Sequence, residues 1–229
     1  MENTRTKTTR NSLILLLTAA IWGMAFVSQS KGMDYMHPFT FNGVRSLIGA
    51  ASILVYILIS RKIAGDKAAP LDWKLNVKAG LLCGIFLTIA STLQQFGIKY
   101  TSVGKAGFIT TLYIIFVPMF GIFLKKKVAP VVWVAAVMAA VGMYLLCMTE
   151  SLRLGAGDIM VFLCAIAFAI QIMTVDHYAA RIDGAVVSCI QFTVCGVVCC
   201  IGALIWGQPT FGQLQEGLGA LLYAGVLSC

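Results

Sequence analysis

The chain is cut into apolar runs of about twenty residues, the length a helix needs to cross the hydrocarbon core of a bilayer. The polar links between the runs are short. Backbone amides and carbonyls in lipid find no water, so such runs must fold as helices or as a closed barrel. Continuous rather than alternating apolarity selects the helix. The runs fall at about 12–30, 38–60, 77–98, 105–124, 128–148, 159–178, 185–206 and from 214 to the end. Only 11% of the residues are charged, against about 25% in a soluble domain. The reading is an all-α membrane protein, a polytopic helical bundle without room for a separate soluble domain. Its longest link, "RKIAGDKAAPLDWKLNVK", carries the turn residues Gly65 and Pro70.

The net charge of +8 does not gather into a patch fit for nucleic acid. With the N-terminus inside, Arg5, Lys7, Arg10, Arg61, Lys62, Lys67, Lys74, Lys78, Lys125, Lys126, Lys127 and Arg181 fall on the cytoplasmic side. The other side receives only Lys31, Lys99, Lys105 and Arg153. That bias orients the protein in a cell (plasma or inner) membrane with a cytoplasmic N-terminus. The opening "MENTRTKTTRNSLILLLTAAIWGMA" has the order of a secretory signal, but further spans follow, and it reads as a retained first helix.

The eight cysteines lie within or beside apolar runs, form no CxxC, and read as small packing residues rather than metal or redox groups. No metal and no cofactor is implied. His37 and His177 fall at opposite membrane faces, and no HExxH or Ser/Lys set lies in a span. These absences argue against an enzyme.

A repeat runs through the chain. At a constant offset of 146 residues, Leu17 meets Leu163, Ala19 meets Ala165, Trp22 meets Phe168, Ser28 meets Thr174 and Arg45 meets Gln191. The unit holds five helices, an odd number, so its copies start on opposite sides of the membrane. Such inverted repeats are a transporter architecture with the site near the midplane. The copies divide at 1–150 and 151–229. The chain stops at "LLYAGVLSC", partway through the eighth span, so the second copy reads as truncated and ten spans are expected in full.

The stretches "LTAAIWGMAFV", "HPFTFNGVRSLIGAA", "QQFGIKYTSVGKAGFITTLYIIFVPMFGIFLKKK" and "GAGDIMVFLCAIAFAIQIMTVDHYA" resemble the EamA-like branch of the drug/metabolite transporter superfamily. The resemblance covers essentially the whole chain. It implies two inverted five-helix repeats and the export or exchange of small metabolites such as amino acids by alternating access. The expected partners are a small-molecule substrate and the lipid bilayer, with a homodimer left open. A passive channel, a membrane scaffold or an inactive remnant is the competing reading, since none of them requires a motif.

Arg45 is the residue that apolar spans least explain, because a guanidinium in lipid is costly. It lies about 10 Å from the outer end of its helix and either faces the interior, bonding Gln94, Gln95 or freed carbonyls, or snorkels outward and locks packing. Gln94 and Gln95 share its depth, while Gln171 and Gln191 occupy the corresponding inner third. Trp22 lies near the midplane, as a cavity wall or as ordinary packing. Tyr113 and Thr110, three apart, share a helix face. Pro118 removes a backbone bond and with Gly121 offers a kink, static or gating. Gly80 and Gly84 form a GxxxG suited to close packing. Asp176, His177, Arg181 and Asp183 read as a solvated cluster at an inner helix end.

Overall fold

A computed structural model describes residues 2–65, 71–124, 128–147 and 155–229. Pro70, Lys67, Lys125, Lys126, Lys127 and Arg153 lie outside the described residues. The described part is helical: α1 (Glu2–Tyr35), α2 (Pro38–Ala64), α3 (Trp73–Tyr100), α4 (Val103–Thr111), α5 (Tyr113–Phe123), α6 (Pro130–Cys147), α7 (Ala156–Tyr178), α8 (Gly184–Gly202), α9 (Phe211–Glu216) and α10 (Leu218–Leu222). Single π-helical turns extend α8 over Ala203–Gly207 and α10 over Tyr223–Leu227.

Local chemistry sets the boundaries. Pro38 opens α2 at a position whose N–H is spare anyway, and Gly65 ends it at a φ of 51°, where a side chain would be strained. Asp72, Ser102 and Asp183 cap α3, α4 and α8 by accepting from the backbone amides of Leu75, Lys105 and Ala185.

Among the described residues, six helices are long and apolar enough to cross a membrane, rather than about eight. They are Thr9–Tyr35, Pro38–Ala64, Trp73–Tyr100, Val103–Phe123, Ala156–Tyr178 and Gly184–Gly207. The expected fifth span is α6, of 18 residues. The expected eighth is shorter and broken, its apolar part running only from Leu218 to Leu227. The fourth span is interrupted at Leu112, whose amide turns back to Ile109 at 3.2 Å. The interruption lies six residues before Pro118, while α5 runs on through the proline. A missing proline N–H frees only one carbonyl, of Ile114, and the helix absorbs that without ending there.

The bundle centres on α2, α3, α7 and α8, with α3 packed on α7 and α8, and α2 packed on α8. Lipid tails give apolar side chains no reason to leave them, so helices associate by close backbone approach. The core is accordingly built of small residues: Ala79, Cys83, Ala90, Cys164, Ala165, Ala169 and Cys199 have no exposed surface. Gly80 and Gly84 face Ile190 and Val194 of α8. The tightest crossing joins α3 to α7, where a Cβ on Gly157 would stand 2.8 Å from the Gly97 carbonyl oxygen and 2.8 Å from the Tyr100 carbonyl carbon. Backbone atoms cannot yield as a side chain can. Gly157→Leu is expected to cost about 3 kcal/mol, read as a lower Tm and loss of the monodisperse peak in detergent.

Two carboxylates fasten the ends. At the His37 end, Asp158 is 4% exposed on its side chain and pairs with Lys105 at 3.7 Å. It also accepts from the Thr101 hydroxyl and from the Gly155 amide at 2.9 Å. At the Arg61 end, Asp183 pairs with Arg61 at 3.8 Å, and its amide donates to Asn76 at 2.9 Å. The cluster expected around Asp183 thus reaches across to α2 and α3.

Candidate functional site

The start of α2 places the most polar part of the bundle. His37 caps the helix, its Nδ1 accepting from the Phe39 amide at 3.4 Å. Thr40, Asn42, Arg45 and Ser46 follow within the next two turns, all buried. Arg45 turns inward, 8% exposed. Its Nε donates to Asn42 Oδ1 at 2.9 Å, and its guanidinium carbon lies 5.9 Å from the centre of the Phe41 ring. The expected bonds to Gln94 or Gln95 are not made, because Asn42, three residues earlier on the same helix, is nearer. Among the described residues no carboxylate pairs with Arg45, so its charge is offset only by a neutral amide and a ring face.

The two glutamines of α3 reach other helices. Gln94 donates to Thr110 Oγ1 of α4 at 3.3 Å. Gln95, with no exposed surface, donates from Nε2 to the main-chain carbonyl of Gln29 on α1 at 3.2 Å. Among the described residues, four buried polar atoms have no partner: Gln29 Oε1, Thr40 Oγ1, Asn42 Nδ2 and Gln95 Oε1. All four lie on α1, α2 and α3 in the third nearest the His37 end.

Toward the Arg61 end, Gln171 of α7 donates to Gln191 of α8 at 3.0 Å. Below Arg45, Ser46 of α2 and Ser91 of α3 both reach the Cys195 thiol of α8, at 3.5 and 3.3 Å. Cys195 and Cys199 therefore pack where three helices meet. Tyr113 is half-buried just past the break in the fourth span. Trp22 stands apart from both polar groups, 51% exposed on α1. Gln29 and Asn42 were the residues sequence reasoning missed. Each is a primary amide in an apolar run, the same signal that singled out Gln171 and Gln191.

His37 also belongs to an aromatic cluster, with ring centres 5.7 Å from Phe39 and 5.6 Å from Phe96. Burial, and then the Lys99 charge, lower its pKa from the ordinary 6.5. The unfolded chain then takes up this proton before the folded one does, so stability falls as pH drops below about 6.5. Protonation at Nδ1 also removes the cap. The wild type should lose Tm between pH 7.5 and 5, and His37→Asn, a cap that does not titrate, should lose less.

The apolar spans agree with what a comparison of the sequence finds. A model described as "EamA-like transporter family" matches residues 10–148. The chain belongs to the EamA-like transporter family. It is 31% identical over 166 residues to an uncharacterized transporter of Archaeoglobus fulgidus, covering 72% of this chain and 48% of that protein. It is 26% identical over 221 residues to the uncharacterized transporter YwfM of Bacillus subtilis, covering 95% of this chain and 72% of that protein. The chain thus spans about half the length of the Archaeoglobus relative. The family is one of multi-pass membrane transporters rather than enzymes.

Proposed function

We propose that the chain forms the substrate-handling part of a carrier that exports small organic metabolites across the plasma membrane by alternating access. The observation that carries this reading is Arg45, buried and without a carboxylate partner among the described residues. A charge kept in a span at such cost marks a pathway, and a guanidinium there receives a carboxylate or phosphate. Gln94, Gln95 and Tyr113 line the route beyond it, Gln171 and Gln191 the opposite third, and Trp22 contributes when α1 moves. Pro118 is the kink point. The positive-inside bias supports a cytoplasmic N-terminus, with the His37 end outside.

An inverted pair of repeats, 1–150 with five helices and 151–229 with the first three of its counterpart, is supported by exchangeable packing. The third helix of the first half, α3, lies on α7 and α8. The last segment, α9 and α10 with its π-turn, holds the matching place in the second half and lies on α1 and α2. Exchanging the halves maps each pair onto the other and leaves α2 on α8 unchanged. A scaffold has no need of that symmetry.

Purified protein in liposomes tests the function. Uptake of a labelled metabolite from a mixed panel should saturate and accelerate when unlabelled metabolite is enclosed. Flux that rises linearly without acceleration indicates a channel, and no flux indicates a scaffold.

A further inference from the structure

We propose that Gln29 and Gln95 form an acceptor pair that receives a primary ammonium group of the transported molecule. This rests on the reading of the His37-end third as a substrate region. Gln29 is 4% exposed and Gln95 has no exposed surface, yet the Oε1 atom of each lacks a hydrogen-bond partner. The residues adjoin across two helices, since the Gln95 amide nitrogen donates to the Gln29 main-chain carbonyl at 3.2 Å. A buried acceptor without a partner weakens the folded state, and a methionine would fill the volume of Gln29 without that penalty. Retaining two such oxygens on adjoining residues makes sense if something else supplies the donors.

The placement favours a ligand. Gln29 and Gln95 each lie about 8 Å from the His37 end of their helices, close to the depth of Arg45. Phe41 links the two regions: its ring lies beneath the Arg45 guanidinium and packs against Gly32, one turn from Gln29. The orphaned atoms on the α2 side are the Asn42 amide nitrogen, a donor, and the Thr40 hydroxyl, while on α1 and α3 they are acceptors. The orphaned Asn42 donor beside Arg45 on α2, and the orphaned acceptors on α1 and α3, give the region an anion-receiving and a cation-receiving side. An ammonium carries three N–H donors, enough for both oxygens, and bonds from a charged donor are roughly twice as strong as neutral ones.

The test compares methylammonium with tetramethylammonium chloride on the purified, unaltered protein at equal ionic strength. Both are small monocations, and only the first has N–H groups. Methylammonium should raise Tm by about 2 °C more than tetramethylammonium at saturation, and Gln29→Met should abolish the difference. Gln29→Met should also raise Tm without ligand, because it removes an orphaned acceptor, whereas a packing role for the amide predicts a fall. Equal shifts with the two salts, which would leave water as the occupant, overturn the proposal, as does a lower Tm in Gln29→Met. The two-salt comparison decides even if the variant folds poorly. Arg45→Leu should leave the methylammonium shift in place, so the failure of this proposal and the failure of the transport reading are told apart.

Discussion

Arg45→Leu is expected to remove most transport while leaving a protein that inserts and purifies as well as the wild type. An arginine at a helix centre costs about 2.5–3.5 kcal/mol on insertion, one nearer the end such as Arg45 costs less, and leucine removes that cost. The loss on the other side is small, because among the described residues the Arg45 side chain bonds only Asn42 and lies over one ring. A charged hydrogen bond to the substrate contributes about 1.5–3 kcal/mol, so transport should fall by roughly 10- to 100-fold. Arg45→Lys keeps the charge without the two-pronged geometry and should retain part of the activity. Uptake per milligram of reconstituted protein measures this, with size-exclusion profiles as the control. A well-folded Arg45→Leu protein with unchanged uptake would remove Arg45 from any interior role. Should Asn42, left unpaired, destabilise that variant, Arg45→Leu with Asn42→Leu separates the loss of a partner from the loss of the charge.

Asp158→Ala has the larger expected effect on stability. The carboxylate holds the start of α7 against the turn between α3 and α4, through Lys105, Thr101 and the Gly155 amide. Its removal leaves Lys105, only 18% exposed on its side chain, without that counter-charge at a closely packed crossing. Breaking a buried pair from one side costs about 3 kcal/mol, which should appear as a Tm lowered by about 6–12 °C and a reduced yield of solubilised protein. Asp158→Asn keeps an oxygen for one donor and should fall between. At the Arg61 end both partners of the Asp183–Arg61 pair are more than a third exposed, so Arg61→Ala should change Tm little.

The membrane fold was legible because span length and charge deficit belong to whole stretches and survive any detail of packing. The stop at Gly65 was legible for a related reason, since a turn residue acts within a few positions. The break at Leu112 was not, as the β-branched and aromatic residues of "FITTLYIIF" lower helix propensity only slightly and the stronger local signal, Pro118, lies six residues on. The partner of Arg45 was misjudged. Sequence separation made Gln94 and Gln95 attractive as residues of another helix at equal depth, but Asn42 at i−3 shares its face without any tertiary geometry. Trp22 illustrates the opposite limit: depth can be counted along a helix, but the side of the helix that meets neighbours is decided by the packing. The Asp158 clamp depends on three segments arriving at one point, which no local pattern contains.

The central claim, that two halves rock about a polar middle, is tested most directly by distances measured at both ends of one protein. In a background with its cysteines replaced, spin labels at Tyr35 and Ile159 report on the His37 end, and labels at Ile63 and Arg181 report on the Arg61 end. All four positions are exposed. Adding the metabolite that shows accelerated exchange should shift the two distance distributions in opposite directions, one end closing as the other opens. Distributions that stay fixed, or that move together, would contradict alternating access and leave a channel or a scaffold as the account of this chain.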